Sequence, residues 1–244
     1  MGKQAALWEG RVIAWFSNGA ASTIAAKLAL QQRPDTLVIN HDLSESEHPD
    51  NARFFGDVQR WLGVKIMQTR HPAYGGSVDK VFSAVRYLRG VHGAPCTKKL
   101  KRDMGDIVSD FQDINVFGFT ADEQSRIEDF ERRDPNIKNW WVLRDAGITK
   151  ADCFRMLAEA GIELPAMYRL GYRNNNCIGC VKGGMGYWNK IRRDFPEVFA
   201  RRAAQEREIG ASVIKGVFLD ELAPDRGRYE SEPGISCGPV CSME

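Results

Sequence analysis

The sequence predicts an α/β fold in which a parallel β-sheet is covered by helices on both faces. Short apolar runs, typical of buried strands, alternate with helical segments over residues 1–145. The chain has 244 residues, of which 43% are hydrophobic and 27% are charged. It is therefore long enough to bury one sizeable core and too apolar for wholesale disorder.

The predicted elements of this core follow one another in a regular order. The apolar run 11–16 is the first strand, and the segment 20–32, rich in Ala and Leu without a breaker, is the first helix. A helix over 49–62 places its apolar side chains on one face. The remaining predictions are strands at 36–39, 64–67, 114–118 and 140–143, and helices at 78–88 and 97–111.

The character of the sequence changes after Leu143. A helix is predicted over 149–160 with Thr149 as its N-cap, and a charged helix over 195–210. Gly, Pro and Asn are frequent between them, which is typical of loops. The sequence thus predicts three parts: an α/β core at 1–145, a helical and loop region carrying a Cys cluster and packed on the core at 146–223, and a tail over the domain at 224–244.

Composition excludes several classes of protein. Lys and Arg number 34 and Asp and Glu number 32, a formal net charge of +2 that is too balanced for a general nucleic-acid coat. No apolar run approaches the ~18 residues of a membrane span, and the N-terminal segment lacks the apolar stretch of a secretory signal. We therefore expect a cytoplasmic protein with no membrane partner, whose six cysteines serve metal or redox chemistry. The sequence leaves homo-oligomer formation open.

The turn between the first strand and the first helix has the features of an anion-binding loop. Small residues let the backbone approach a phosphate, and the helix N-terminus presents N–H groups. An ordinary tight turn is the alternative, since both the Walker pattern and the glycine triplet of dinucleotide folds are missing. The residues of this candidate phosphate site are Ser17, Asn18, Gly19, Ala20, Ala21 and Ser22.

This loop resembles the PP-loop of the adenine-nucleotide alpha-hydrolase superfamily, whose pattern is Ser-Gly-Gly-x-Asp-Ser. The resemblance implies a Rossmann-like sheet that binds ATP, with Mg²⁺, or phosphoadenylylsulfate (PAPS). ATP-pyrophosphatase members carry an aspartate where this chain has Ala21, whereas the branch that reduces PAPS or adenylylsulfate often lacks it. The resemblance therefore favours a PAPS reductase-like family. It also places the adenosine at the end of the second strand, near Asp42.

Two further segments resemble the sulfonucleotide reductases. Residues 116–126 are similar to the pattern Gly-x-Arg-x-x-Gln/Glu-Ser-x-x-Arg, which implies a lining of phosphate or sulfate by Gly118, Thr120 and Arg126. A salt bridge from Arg126 to Glu123 or Glu128 is the alternative. Residues 164–180 are similar to the pattern Leu-Tyr-x-x-Gly-Tyr-x-x-x-x-Cys-x-x-Cys.

Three cysteines are candidates for a shared metal centre. The spacer in Cys177-x-x-Cys180 turns both side chains to one side, and Cys96, in a cation-rich segment, is the third ligand. Eighty residues separate Cys96 from Cys177, similar to the spacing in adenylylsulfate reductases, which implies a [4Fe-4S] cluster. Zinc and a metal-free dithiol are the alternatives. Cys153, on a helix, is predicted to be a core residue.

The tail carries two more cysteines, Cys237 and Cys241. Reductases of the family have a C-terminal Glu-Cys-Gly-x-His whose thiolate attacks the substrate sulfur, and Ser236-Cys237-Gly238 retains the Cys-Gly core. The resemblance therefore implies Cys237 as nucleophile or resolving thiol. The alternatives are an inert tail or a fourth metal ligand from Cys237 or Cys241. One iron stays open if neither binds, as in cluster-dependent tRNA-thiolating relatives.

Three functions remain after these observations. The first, implied by the resemblance, is an iron–sulfur enzyme of sulfur transfer or sulfonucleotide reduction, with thioredoxin as thiol donor. The second is an ATP-dependent sulfurtransferase or base-modifying enzyme acting on nucleic acid. The third is a nucleotide-sensing or nucleic-acid-binding module that has lost the chemistry.

Overall fold

Five parallel strands form one sheet in the order β3-β2-β1-β4-β5 among the residues that the computed structural model describes, 10–90 and 93–235. The central strand β1 is paired on both sides, since Ala14 lies opposite Val38 on one neighbour and Val116 on the other. The strands are β1 (Val12–Trp15), β2 (Leu37–His41), β3 (Met67–Thr69), β4 (Ile114–Val116) and β5 (Lys138–Asn139). This arrangement confirms the predicted α/β class with a parallel sheet.

Eleven α-helical segments lie in the described parts of the chain. They are α1 (Ala20–Gln32), α2 (Asn51–Leu62), α3 (Val78–Val85), α4 (Pro95–Thr97), α5 (Asp103–Val108), α6 (Gln124–Arg133), α7 (Val142–Asp145), α8 (Lys150–Glu159), α9 (Ala166–Arg169), α10 (Met185–Asp194) and α11 (Pro196–Ile209). A π-helical turn, Lys98–Arg102, joins α4 to α5.

The described residues divide into two compact units. The sheet unit comprises the described parts of 1–42, 49–70 and 104–171, and the thiol unit those of 43–48, 71–103 and 172–244. This division differs from the predicted boundaries at 145/146 and 223/224, because each unit gathers segments that are distant along the chain. Changes of composition along a sequence do not show which distant segments fold into the same unit.

The core of the sheet unit lies between β1 and the helices of one face. Val12 and Ala14 point into it from the strand, and α1 contributes Ala25, Ala26 and Ala29. Alanine side chains let the helix approach the sheet closely, so that α1 also contacts α2, α7 and α8. Its ends, Ala20 and Gln32, coincide with the prediction.

The fifth strand was predicted in the wrong place. It occupies Lys138–Asn139, and the run 140–143 turns into the short helix α7. The N–H of Trp140 still donates to the carbonyl of Asn115, at 2.9 Å. All four side chains from Trp140 to Leu143 are buried. The apolar run reflects burial of a turn in the core, which has the same sequence pattern as a buried strand.

Two other elements are displaced from their predicted bounds. Strand β3 begins only at Met67, because the N–H of Ile66 donates to the side chain of Gln59, at 3.0 Å, rather than to a neighbouring strand. The helix predicted over 97–111 begins at Pro95, passes through the π-helical turn and ends at Val108.

The predicted N-cap of α8 is confirmed. The hydroxyl of Thr149 accepts the N–H of Asp152, at 3.2 Å, and the Asp152 carboxylate accepts the N–H of Thr149, at 3.0 Å. Such a reciprocal pair satisfies two donors at a helix start. No helix in the described ranges is long and apolar enough to cross a bilayer.

Candidate functional site

The predicted phosphate loop connects β1 to α1 in the sheet unit. Asn18 has φ 55°, a left-handed conformation that asparagine tolerates better than most residues. The hydroxyl of Ser22 accepts the N–H of Ser17, at 3.1 Å, and donates to the carbonyl of Gly19, at 2.9 Å. The loop is therefore closed on itself, with its backbone shape fixed by its own side chains.

The first turn of α1 has the properties of an anion site. Its N-cap, Gly19, has no side chain to cap the helix, and Ser17 at the loop tip is exposed. A 13-residue helix with an uncapped start directs N–H groups and the positive end of its dipole toward a ligand. The loop can thus bind a phosphate without a charged side chain.

Gly118, after β4, lies directly against this helix start. A Cβ atom on Gly118 would lie 2.5 Å from the N of Ser22 and 2.9 Å from the carbonyl carbon of Ala21. Only glycine fits here, because backbone cannot yield as a flexible side chain does. The structure therefore brings Gly118 together with the loop 17–22, and its predicted role at a phosphate stays untested.

Thr120 and Arg126 are instead engaged with Glu123. The N–H and the hydroxyl of Thr120 both donate to the Glu123 carboxylate, at 3.0 Å each. Arg126 forms an ion pair with the same carboxylate and lies over the Phe119 ring, 4.7 Å from its centroid. The structure thus matches the salt-bridge alternative for Arg126, and its predicted role at a phosphate or sulfate stays untested.

Asp42 lies at the end of β2, where the adenosine was expected. Its backbone N–H donates to the carbonyl of Thr69, at 2.8 Å, and its carboxylate forms an ion pair with Arg70. The carboxylate is mostly buried. Asp42 is therefore held at the carboxyl edge of the sheet, the edge at which open α/β sheets bind ligands.

Sequence analysis missed Tyr168 as a neighbour of the phosphate loop. Its hydroxyl lies 3.6 Å from the position that a Cβ on Gly19 would take. Phe154 packs edge-on against the Tyr168 ring, and the Lys150 ammonium lies 5.9 Å from the ring centroid. Tyr168 belongs to the segment 164–180, which resembles a pattern of the sulfonucleotide reductases. This resemblance was the sequence signal that could have identified Tyr168 as a site residue.

The Cys177–Cys180 turn forms part of the thiol unit. Gly179 has φ 71°, and a Cβ there would lie 2.7 Å from Val198 and 3.2 Å from Trp188. The N–H of Ile178 donates to the carbonyl of Ser46, at 2.9 Å. Close packing on one side and a backbone anchor on the other therefore fix the turn.

Tyr187 holds both ends of this turn through its hydroxyl. The hydroxyl accepts the N–H of Cys180, at 2.9 Å, and donates to the carbonyl of Cys177, at 3.5 Å. Burial raises the pKa of Tyr187 well above its ordinary value, so the phenol keeps its proton. Tyr187 and its neighbour Trp188 are buried, which leaves neither ring available to stack on a base.

Cys96 is half-buried in α4, which packs against α3. Arg202 of α11, in the same unit, is a buried cation. Burial lowers the pKa of Arg202, whereas the charges of Asp79, Cys96 and Cys180 act to raise it.

Thiolate sulfur is a preferred ligand of soft metals, but these cysteines do not form a complete set of metal ligands. Cys96, Cys177 and Cys180 are reduced and belong to the same unit. Among the described residues, no three Cys, His, Asp or Glu side chains lie close enough together to hold a metal ion. The fit to an iron–sulfur cluster or zinc thus rests on the donor atoms alone.

Cys153 is buried in the core of the sheet unit, as predicted. Burial raises the pKa of its thiol to about 12, so it stays protonated and inert at neutral pH.

The tail is attached beside the Cys-x-x-Cys turn. The side-chain amides of Asn174 and Asn176 both donate to the carbonyl of Ile235, at 2.8 and 2.9 Å. The Glu232 carboxylate accepts the N–H groups of Gly186 and Tyr187, at 2.6 and 3.0 Å, and so caps the start of α10. The two tail cysteines, 237 and 241, lie outside the described residues.

Comparisons with known proteins identify no family. No protein-family model matches the sequence, and no curated protein is significantly similar to it. One solved structure with a similar arrangement is the U34-tRNA thiolase NcsA from Methanococcus maripaludis with its [4Fe-4S] cluster. It is 12% identical, the match covers 100% of this chain and 84% of that chain, and the TM-score is 0.48. A likeness of this size establishes neither family nor function.

Proposed function

We propose that the chain is an adenine-nucleotide-binding enzyme that transfers sulfur to a nucleic-acid base through a thiol-bound metal centre. The observation that carries this proposal is that Cys96 and the Cys177–Cys180 turn, distant in sequence, fold into the same compact unit. Tyr187 fixes the turn that carries Cys177 and Cys180.

The sheet unit supports the nucleotide part of the proposal. The loop 17–22 offers an uncapped helix start for phosphate, and Gly118 lies against it. The adenosine would bind near Asp42 at the same carboxyl edge of the sheet. ATP is the nucleotide expected for base activation, with Mg²⁺ neutralising its phosphates; PAPS fits the same loop.

The thiol unit supports the sulfur part. Cys96, Cys177 and Cys180 would hold a [4Fe-4S] cluster, with zinc as the alternative, and Cys241 or Cys237 is the proposed fourth sulfur donor. If neither tail cysteine binds, the cluster would keep an open iron, which would supply a site for a reactive sulfur. The chain's own part is to keep the turn in place through the Tyr187 hydroxyl.

Charge around Cys96 supports a nucleic-acid substrate. Residues 86–102 contain six Lys or Arg and no Asp or Glu. Lys98 and Arg102, the first and last residues of the π-helical turn, are exposed. A local run of cations next to a reactive group attracts a phosphate backbone even in a protein of balanced net charge.

Sulfonucleotide reduction is a second candidate, favoured by the attachment of the tail. Two asparagines next to Cys177 bind the carbonyl of Ile235, and Cys237 follows only two residues later. Cys237 itself lies outside the described residues. In this reaction Cys237 would attack the sulfonucleotide sulfur, and thioredoxin would release sulfite.

One pair of assays separates these functions. Anaerobically purified full-length protein is incubated with ATP, Mg²⁺, a sulfur donor and bulk tRNA or DNA, and nucleosides are analysed by mass spectrometry. A parallel sample receives PAPS and reduced thioredoxin, and sulfite is measured. The proposal predicts a thiolated nucleoside that is lost in Cys96→Ser and kept in Cys153→Ser, the control in which a buried core cysteine is changed. Sulfite without a thiolated nucleoside would establish reduction instead.

A further inference from the structure

Tyr87 is an exposed aromatic residue in the basic segment that precedes Cys96. It lies two residues after α3 ends at Val85, and 38% of its surface is exposed. Among the described residues, no other aromatic ring and no cation packs on it. An exposed ring offers a flat apolar face to a ligand, and the surroundings of Tyr87 indicate which ligand fits.

The ring is held in place by the segment that carries it. Leu88 is buried, which fixes this part of the chain with Tyr87 at the surface. The Tyr87 side chain lies against Gly90, since a Cβ on Gly90 would be 3.0 Å from the ring carbon Cζ and closer still to the hydroxyl oxygen. Glycine thus lets the ring lie on the backbone, so that the exposed face is positioned before a ligand binds.

The backbone beneath the ring is tied to the start of α4. Gly90 and Gly93 exchange two hydrogen bonds, at 3.1 and 2.9 Å. Cys96, in α4, follows Gly93 by three residues, and a chain of that length spans at most about 10 Å. The Tyr87 ring and the Cys96 thiol are therefore close enough to act on one short stretch of the same substrate.

Two arginines flank the ring and indicate the charge of the ligand. Arg86 donates to the carbonyl of Glu208, at 2.8 Å, and Arg89 donates to the carbonyl of Val181, at 3.0 Å. Both arginines are exposed, and no carboxylate pairs with either guanidinium in the described part of the chain. Neutral carbonyls orient these cations without cancelling their charge. Cations on both sides of an exposed ring suit the phosphates and bases of a nucleic acid.

We infer that Tyr87 stacks on a base of single-stranded nucleic acid, with Arg86 and Arg89 on the phosphates beside it. This inference rests on the proposed function and deepens it, because it identifies the substrate near Cys96 as an unpaired stretch. A base in a duplex is already stacked on its neighbours, whereas an unpaired base can lie on a side-chain ring.

The test compares strands with and without bases. Labelled oligouridine, oligothymidine and an abasic strand of equal length are titrated with the full-length protein, and binding is followed by fluorescence anisotropy. Stacking of one base on a ring contributes about 10-fold in affinity, so the wild type should prefer a base-bearing strand by at least this factor. In Tyr87→Ala the preference should fall by about 10-fold. The uridine and thymidine strands show whether RNA or DNA is bound.

Two controls separate stacking from other effects. Phe111→Ala changes the second exposed aromatic residue of the described ranges, 79% exposed and set between Asp110 and Asp113, and it should bind like the wild type. Tyr87→Phe keeps the ring and should also bind like the wild type. If Tyr87→Ala does not fold, as judged by circular dichroism, Tyr87→Leu replaces it, since leucine covers Gly90 but has no ring to stack.

Each remaining outcome decides the question. An unchanged preference in Tyr87→Ala, an equal loss on base-bearing and abasic strands, or a wild type without any preference would overturn the inference. If the wild type binds no strand, the proposed nucleic-acid substrate fails and the inference fails with it. If tRNA or DNA is thiolated but Tyr87→Ala keeps the preference, only the inference fails. A preference lost in Tyr87→Ala, in a protein that thiolates nothing, would support the inference and refute sulfur transfer.

Discussion

The phosphate loop and the Cys-x-x-Cys turn are held in place by different means. The loop 17–22 is fixed by its own short side chains and by the backbone of one glycine, Gly118. The Cys177–Cys180 turn is fixed by large side chains from α10, above all the Tyr187 hydroxyl. We conclude that the first site is built from local sequence and the second from long-range packing, so that substitutions should affect them differently.

The largest effect is expected at Gly118. In Gly118→Val, the new side chain would collide with the backbone of Ser22, which lies 2.5 Å from the Cβ position. Overpacking of this kind costs about 3 kcal/mol, and binding of ATP or PAPS should be lost because the helix start must move. Urea unfolding and a nucleotide thermal-shift assay measure the two effects.

Gly56→Ala is the matched control for this variant. Gly56 lies within α2, where a Cβ would meet only the Arg60 guanidinium, at 3.5 Å. Alanine in a helix is favoured over glycine by about 0.5–1 kcal/mol, so Gly56→Ala should be as stable as the wild type or slightly more so. Equal losses in both variants would show that Gly118 has no special contact with the loop.

A smaller effect is expected at Tyr187. Tyr187→Phe removes the hydroxyl that binds both ends of the Cys177–Cys180 turn and leaves the partly buried N–H of Cys180 without its acceptor, at a cost of about 1 kcal/mol. Hydrogen exchange of the Cys180 amide should accelerate, and Co²⁺, added as a probe of the proposed metal centre, should bind more weakly. Tyr229→Phe is the comparison, because the Tyr229 hydroxyl accepts the N–H of the exposed Arg173, at 2.8 Å. Faster exchange in both variants alike would contradict the role given to Tyr187.

The smallest effect is expected at Asp50, in the sheet unit. Hydrogen bonds from Arg53 lower the pKa of Asp50 below its ordinary value. A carboxyl whose pKa is lower in the folded state stabilises it at neutral pH, and this contribution is lost as the pH falls below about 4.

Asp50→Asn should therefore flatten the acid side of the stability curve and cost about 1 kcal/mol at pH 7. Asp35→Asn is the control, since the Asp35 side chain is 64% exposed in its pair with Arg33. Urea unfolding at several pH values measures both, and an unchanged acid limb in Asp50→Asn would refute the assignment.

Local patterns predicted most of the sheet unit. The first strand, the loop and α1 lie where the sequence placed them, because small residues and an unbroken helical run determine that structure locally. The run 140–143 was wrongly predicted because burial alone does not distinguish a strand from a buried turn.

In the thiol unit the sequence predicted the cysteines and the helices α3 and α11, but not the side chains that support the Cys-x-x-Cys turn. Arg202 lies in a charged helix beside Arg201, and nothing in a sequence tells the buried arginine from the exposed one. The sequence around Tyr187 has no pattern that indicates its hydrogen bonds to the turn, which emerge only from the fold. Residues that support a site from distant elements leave no local pattern.

A metal centre shared by Cys96, Cys177 and Cys180, as proposed above, can be measured through the iron and sulfide content of the protein. Full-length protein is reconstituted anaerobically with iron and sulfide, and both are measured per chain together with absorbance near ~400 nm. We predict about four of each per chain in the wild type and in Cys153→Ser, and a marked loss in Cys96→Ser. Equal iron in Cys96→Ser and the wild type, or none in either, would show that Cys96, Cys177 and Cys180 do not share a metal centre.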